Sequence, residues 1–386
     1  MSSAIQPVPA EAVESRLAAI VLAAGYSSRM AEFKPLLPLG GCTALERCIG
    51  LFRAAGVAEV IAVLGHRAEE LQPMAEHAGA RCVRNPHFEQ GMFSSVAAGN
   101  RALPGWVEAA FVLPADIPLV RPNTIRRLAA AFVHRRAGIV YPVFEERRGH
   151  PPLIARKILA EAAEEGATGP LSDLLVRHES EAIDLPVADQ GIHMDMDTPA
   201  DYDALRAVAD CRDIPTRAEC EAILAGHSVE PSLVRHSRRV AEVAERIALG
   251  LAHSGLSLNL ELVRAGALLH DLAKSRPDHA VVGAELLRSM GFPRVATVVG
   301  AHTDLDFSGG ELDECAIVYL ADKLFRGEEP VTLDERFAPA LARFSDNPLA
   351  LHAAQSRMAT AQAVALAVEA RLGAPLASVV TEAGKP

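Results

Sequence analysis

Leu17-Ala-Ala-Ile-Val-Leu-Ala23 runs without a polar break into Ala24-Gly25-Tyr26-Ser27-Ser28-Arg29-Met30, and Lys34-Pro35-Leu36-Leu37 follows shortly after. An unbroken apolar run of this length ending in small residues reads as a strand buried on both faces. The turn behind it lets backbone approach a ligand closely. The same grammar repeats downstream. Val60–Leu64, Ala80–Val83, Ala109–Leu113 and Gly138–Val143 are short apolar runs, partly β-branched. Helical patterns near Thr43–Ala55, Arg67–Ala78, Ser94–Ala102 and Pro122–Val133 separate them. This alternation predicts parallel βαβ units, hence an α/β, doubly wound, mostly parallel sheet covered on both faces. In such a sheet a ligand binds beyond the carboxyl ends of the strands.

Past Cys211 the period changes. Pro215–Leu224, Leu233–His253, Glu261–Lys274, Asp278–Met290, Arg294–His302, Leu312–Phe325 and Leu349–Leu372 fit helices, with no strand pattern left. Asp210, Asp213 and Pro215 interrupt the chain between the two halves. At roughly 150 residues per domain, the 386-residue chain is expected to hold two. The reading is a loose tail over 1–15, an α/β domain over 16–209 and an all-α domain over 210–386. The final pattern is expected to be an amphipathic helix acting as core cover or oligomer contact.

With 50% apolar and 23% charged residues the chain is an ordinary soluble globular one. At 4% aromatic content, Ala, Leu and Val must fill the cores. A net charge of −11 argues against a nucleic-acid-coating protein, though not against a local phosphate pocket. No apolar run reaches the ~18–20 residues a bilayer requires, so no membrane role is expected. No basic segment followed by an apolar one opens the chain, so a secretory signal is not expected either. Six scattered cysteines without a CxxC pair read as reduced thiols, in keeping with the cytoplasm.

Around Gly25, backbone N–H groups can turn toward phosphate oxygens, with Ser27 and Ser28 adding hydroxyls. Arg29 and Lys34 add cations suited to a triphosphate. A Gly–Ser turn by itself is an ordinary βα connection. The full string Leu22-Ala23-Ala24-Gly25-x-Ser27-x-Arg29-Met30, with Lys34 and Leu36-Leu37-Pro38, resembles more. It is similar to the signature loop of the sugar-nucleotide and molybdenum cofactor nucleotidyltransferases, and has neither Walker A nor dinucleotide-fingerprint spacing. Asn85-Pro86, Gly91 and Ser94-Ser95 resemble the family segment that closes over the base. Leu113-Pro-Ala-Asp116-Ile-Pro118 sets a carboxylate beyond an apolar strand, where a hard cation bridging phosphates needs oxygen. Alone, such an Asp is a turn or cap residue. Tyr141-Pro142 and Arg148-Gly149-His150-Pro151 resemble the acceptor segment of the molybdenum cofactor cytidylyltransferase branch. His193-Met-Asp195-Met-Asp197-Thr198-Pro199 resembles the late acidic motif, which also suits an N-cap before Pro199.

This resemblance spans about 17–208 and implies a Rossmann-like nucleotidyltransferase fold. It implies nucleotide contacts from Leu22, Ala23, Ala24, Gly25, Ser27, Ser28, Asn85, Gly91, Ser94 and Ser95. Arg29, Lys34 and Asp116 would be catalytic, with Mg2+ on Asp116 and on Asp195 or Asp197. Tyr141, Gly149 and His150 would bind the acceptor. In the cofactor branch Ala-Ala-Gly goes with CTP, so Ala23 and Ala24 point to CTP as the NTP. The acceptor would then be molybdopterin cofactor, pyrophosphate the leaving group, and a molybdoenzyme or its maturation factor the protein partner. Related enzymes use sugar or polyol phosphates, the alternative small phosphorylated acceptor.

Seven of the fourteen histidines fall between His227 and His352. His236 shares a helical stripe with Val240, Val243 and Ile247, where a lone histidine would be a satisfied core residue. His270-Asp271 ends an apolar stretch, with Lys274 one turn on, and Asp322 lies one turn from Val318 and Phe325. A buried carboxylate without a partner costs several kcal/mol, so inward helices carrying His, His-Asp and Asp suggest a shared cation. The order His236, His270-Asp271, Asp322 resembles the HD superfamily of metal-dependent phosphohydrolases over about 213–326. That resemblance implies a divalent transition metal such as Mn2+ or Fe2+ on those four residues. His279 and His302 stand where dinuclear members carry further ligands, so one or two ions are implied. Water would then attack a phosphoester, with Asp271 and Lys274 catalytic. No Gly-Tyr-Pro follows the HD pair, which leaves the cyclic-di-GMP phosphodiesterase subgroup unsupported. The alternative is a nucleotide sensor without turnover. His227, His253 and His352 read as surface or cap residues.

Overall fold

The computed structural model describes residues 16–26, 32–164 and 169–382. The expected tail and the loop residues Ser27, Ser28 and Arg29 lie outside the described residues. The chain divides into two compact units between Arg212 and Asp213.

In the first unit an eight-stranded sheet is built from β1 (Leu17–Ala23), β2 (Glu59–Leu64), β3 (Arg81–Arg84), β4 (Ala109–Pro114), β5 (Ile139–Phe144), β6 (Arg147–Arg148), β7 (Leu153–Ala155) and β8 (Ala182–Pro186). The order across it is β8-β5-β7-β4-β1-β2-β3, with β6 paired to β5. Every residue of β1 is buried, as a central strand covered on both faces requires. β1 runs parallel to β2 and β4, and Leu22 stands level with both Val63 and Pro114. The loops that follow β1 and β4 therefore emerge side by side.

The mostly parallel sheet is present, but three of its strands escape the sequence pattern, the two-residue β6 among them. β7 is only three residues long and runs antiparallel between β4 and β5, and β8 is half-exposed at the edge. Neither shows the long apolar run of the central strands. Helix Ala44–Ala54 opens with a capping box from Thr43 and Glu46, and Pro199–Ala209 with one from Thr198 and Asp201.

Buried Asp189 gathers the backbone N–H groups of Arg121 and Gly191, the Thr124 hydroxyl and the Arg212 guanidinium. Gly191 is needed here: a Cβ at this position would stand 2.1 Å from the Leu119 carbonyl oxygen, where backbone must move. Gly191→Ala is expected to destabilise the unit by about 1–3 kcal/mol. Thermal denaturation checks this, and an unchanged melting temperature would show that the loop yields freely.

The second unit is helical: Arg217–Gly226, Pro231–His253, Leu260–Leu269, His279–Met290, Pro293–Ala301, Glu314–Lys323, Leu333–Arg343, Pro348–Leu372 and Leu376–Glu382. Three differences from the sequence reading matter. The helix expected over 261–274 ends at Leu269, because His270 turns its Nδ1–H onto the Ala267 carbonyl and tight turns carry the chain through Lys274. Strand pairing does recur, as a short hairpin of Phe325–Arg326 against Glu329–Pro330. Helix Pro348–Leu372 is not the amphipathic helix expected: Ala354, Ala361, Val364 and Val368 are buried, yet Leu349 and Leu366 are 86% and 67% exposed. Its leucines spread around the axis and form no single apolar stripe. Among the described residues no helix is long and apolar enough to cross a membrane.

Candidate functional site

Leu22, Ala23, Ala24 and Gly25 form one wall of a cleft of about 350 Å³ at the carboxyl edge of the sheet. Lys34, Gly91, Ser95 and Asp116 line it too. Asn85 is buried beneath the wall, where its amide nitrogen donates to the Ser94 and Ser95 hydroxyls at 2.9 and 3.0 Å. It braces the segment and does not line the cleft.

The sequence reading missed Tyr26, Phe88 and Glu89. Tyr26 packs its ring 4.9 Å from His66 and 5.3 Å from Phe88, and its hydroxyl donates to Glu89, which raises the phenol's pKa. These side chains join the signature loop to the short turn Phe88–Gln90 across the cleft mouth. Their positions lie inside the quoted motifs, but no spacing rule links an aromatic after Gly25 to one sixty residues later.

Around Asp116 the structure gathers the late acidic motif. The Met196 N–H donates to the Asp116 carbonyl at 3.0 Å, setting Asp195 and Asp197 beside it. Lys34 Nζ lies 2.8 Å from Asp197 Oδ1 and 3.4 Å from Asp116 Oδ2. The cap before Pro199 is Thr198, so Asp197 is left to Lys34. Burial, then Asp197 and Asp116, raise the pKa of Asp195. The three crowded carboxylates form an all-oxygen donor set, which suits a hard cation such as Mg2+.

Tyr141, Gly149 and His150 line a second cavity of about 760 Å³, which shares Gly91, Met92 and Pro114 with the first. Burial lowers the pKa of His150 against the pull of Asp116, so a neutral imidazole faces this space. Arg148, absent from the expected set, stacks 4.2 Å over the Tyr141 ring while Glu179 and Asp184 hold its donors.

In the helical unit every expected ligand converges. Donor atoms of His236, His270 and Asp271 lie within 4.8 Å of one another, as do those of Asp271, His279 and His302. Asp322 Oδ1 stands 3.1 Å from His236 Nε2 and 3.5 Å from His270 Nε2. Asp271 Oδ1 is 3.4 Å from His279 Nε2 and 3.5 Å from His302 Nε2. Donors roughly 2.1 Å from one ion stand roughly 3.0–3.4 Å apart at octahedral or tetrahedral angles, so these separations fit a shared cation.

The tautomers agree with that fit. His236, His270 and His302 each direct Nδ1 at a backbone carbonyl, of Gly327, Ala267 and Val299 respectively. Each Nε2 lone pair is thereby aimed inward. His270 Nε2 is buried without a hydrogen-bond partner, and the Asp271 and Asp322 oxygens stand 3.5 Å off. Burial disfavours its charged form, yet Asp271 and Asp322 outweigh burial and raise its pKa. Burial also opposes ionisation of Asp271, but His270, His302 and Lys274 prevail and hold its pKa below the carboxylate range. His279 is pushed down to about 4, chiefly by burial. Lys274 Nζ sits 3.1 Å from Asp271 and remains half-exposed toward solvent. His227 and His253 turn Nδ1 onto the Ile223 and Leu249 carbonyls near their helix ends.

Comparison with known proteins matches the description "MobA-like NTP transferase domain" to residues 19–182 and "HD domain" to residues 233–327. The molybdenum cofactor cytidylyltransferase of Escherichia coli (strain K12) is 28% identical over 189 residues, covering 49% of this chain and 94% of the relative. The bifunctional IPC transferase and DIPP synthase of Rubrobacter xylanophilus is 38% identical over 116 residues, covering 28% of this chain and 26% of that protein. Among solved structures, Rv0371c from Mycobacterium tuberculosis H37Rv is 25% identical with a TM-score of 0.44, covering 50% of this chain and 98% of its own. The chain thus carries a MobA-like NTP transferase domain over residues 19–182, homologous to known nucleotidyltransferases, and an HD phosphohydrolase-type domain over residues 233–327.

Proposed function

We propose that the first unit transfers CMP from CTP to a small phosphorylated acceptor, the molybdopterin cofactor, and releases pyrophosphate. The observation that carries this reading is the pair of contiguous cavities, one walled by the signature loop and the other by Tyr141, Gly149 and His150. An acceptor phosphate oxygen attacks the α-phosphorus, the bond to the bridging oxygen of the β-phosphate breaks, and the electron pair leaves with pyrophosphate. Ala23, Ala24 and Gly25 let backbone N–H groups approach the nucleotide, and Ser27 and Ser28 add donors. Lys34 and Arg29 neutralise phosphate charge, while Ser95 and Gly91 bound the cleft and Asn85 braces Ser94. Mg2+ on Asp116 with Asp195 or Asp197 supplies further charge neutralisation when bound. Positioning and electrostatics thus account for the rate without a covalent enzyme intermediate.

The second unit, in this reading, hydrolyses a phosphoester. His236, His270, Asp271 and Asp322 hold one ion and Asp271, His279 and His302 a second, with Mn2+ or Fe2+ suiting the mixed donor set. Such ions supply charge neutralisation and water activation when bound, and Lys274 steadies the phosphate. The domain limits proposed are 16–209 and 210–386. The protein works in the cytoplasm on small molecules and passes its product to a molybdoenzyme or its maturation factor, without nucleic acid or membrane.

Purified full chain with Mg2+, labelled CTP or GTP and each acceptor class tests this. CMP transfer to molybdopterin is expected, with CTP favoured by at least about 10-fold in kcat/KM. Transfer only to a sugar or polyol phosphate would move the protein to that sister class. An HD unit that hydrolyses nothing across a phosphoester panel with Mn2+ or Fe2+ would make it a nucleotide sensor.

A further inference from the structure

Lys323, the last residue of helix Glu314–Lys323, is a buried lysine that the proposed chemistry does not use. Its side chain is only 8% exposed, so it cannot serve as a phosphate contact. The ammonium donates to Asp322 Oδ2 at 2.7 Å and to the His302 carbonyl at 2.8 Å, and it sits 4.6 Å from the centre of the Tyr319 ring. Asp322 therefore has two unlike oxygens: Oδ2 is held by Lys323, and Oδ1 alone faces His236 and His270. The His302 contact ties the same ammonium to a residue of the other donor cluster.

We infer that Lys323 is a positioning residue, a built-in counter-ion that keeps the histidine–carboxylate centre assembled when no ion fills it and holds Asp322 to a single ligating oxygen. This rests on reading that cluster as a metal centre. A buried carboxylate stripped of its partner is strongly destabilising, whereas losing both partners together is mild. An arriving cation would supply much of the charge that Lys323 provides in its absence. Removing Lys323 is therefore felt most in the metal-free protein.

The test is melting of the full chain, chelated and then loaded with Co2+, together with the visible absorption of bound Co2+. For K323M the chelated protein is expected to melt roughly 6–20 °C lower than wild type. Its Co2+-induced rise in melting temperature should exceed that of wild type. Its Co2+ spectrum should weaken as Asp322 becomes free to offer both oxygens and raise the coordination number. K323R, which keeps the charge, should restore the wild-type metal response. The double variant D322N/K323M should recover the metal-free melting temperature, and it carries the test if K323M does not fold. Equal Co2+ responses and spectra in wild type and K323M, or no recovery in the double variant, would overturn the positioning role alone. If wild type itself neither binds Co2+ nor shifts its melting, the metal-centre reading falls and this role with it.

Discussion

Asp271→Asn is expected to empty both halves of the histidine–carboxylate centre at once. Asp271 is the residue common to both donor clusters, with one oxygen 3.5 Å from His270 Nε2 and the other 3.4 Å from His279 Nε2 and 3.5 Å from His302 Nε2. Asparagine keeps the volume but offers one neutral oxygen where two negatively charged ones stood. The loss should exceed the 10–100-fold that changes at residues behind the ligands produce, so metal affinity falls by more than about 100-fold. Metal analysis of the purified variant should find the transition metal gone, and phosphoester hydrolysis should drop to the level of chelated wild type. His279→Ala reaches only the second cluster and should leave one ion bound. A D271N protein that keeps its full metal content would show that the ligands lie elsewhere.

Asp116→Asn is the matching test in the transferase unit. Asp116 lines the cleft beside the signature loop, and its backbone carbonyl anchors the late acidic motif through Met196. The substitution preserves that backbone contact and removes only charge. Transfer is expected to fall about 10³-fold, equivalent to about 4 kcal/mol of transition-state stabilisation. Stability should change by no more than about 1 kcal/mol, because the partner Lys34 keeps its shorter contact to Asp197 at 2.8 Å and the 3.4 Å pair with Asp116 is partly solvent-exposed. Pyrophosphate release measured beside a melting curve separates the two effects. Activity within threefold of wild type would exclude Asp116 from the reaction. Metal bound in the helical unit should be untouched, since its donors belong to the other unit of the chain.

Both centres were partly legible before any fold was known, for different reasons. In the transferase unit the signature loop is contiguous, so Ala23, Ala24, Gly25 and Lys34, which line one cleft, can be read from one string. Tyr26, Phe88 and Glu89 belong to the same cleft mouth, but their association depends on two loops meeting, which no local spacing encodes. Asp197 shows the same limit. The sequence offers the motif around it as metal ligands or as a cap before Pro199, and only the folded chain gives the cap to Thr198 and sets the Asp197 carboxylate on Lys34. In the helical unit His270-Asp271 was recognisable, but the expected helix through Lys274 was not what forms. The apolar pattern continues past Leu269, while His270 and Asp271 sit on the turns that end the helix.

By itself the sequence determined the two-part plan: a strand period and a helix period cannot be mistaken for one another over long stretches, because each follows from the repeat of its own backbone. It also determined which side chains carry charge and imidazole, and in what order. Tertiary structure alone decided how they pair. The short antiparallel strand Leu153–Ala155 is a strand by virtue of pairing on both edges, with Ala109–Phe111 and with Ile139–Val140, partners far from it in the chain. Asp322 divides its two oxygens between His236 and Lys323 only because a helix end, a helix face and a turn converge there. Such pairings are set by distances between residues far apart in the chain, and a periodic pattern holds no record of them.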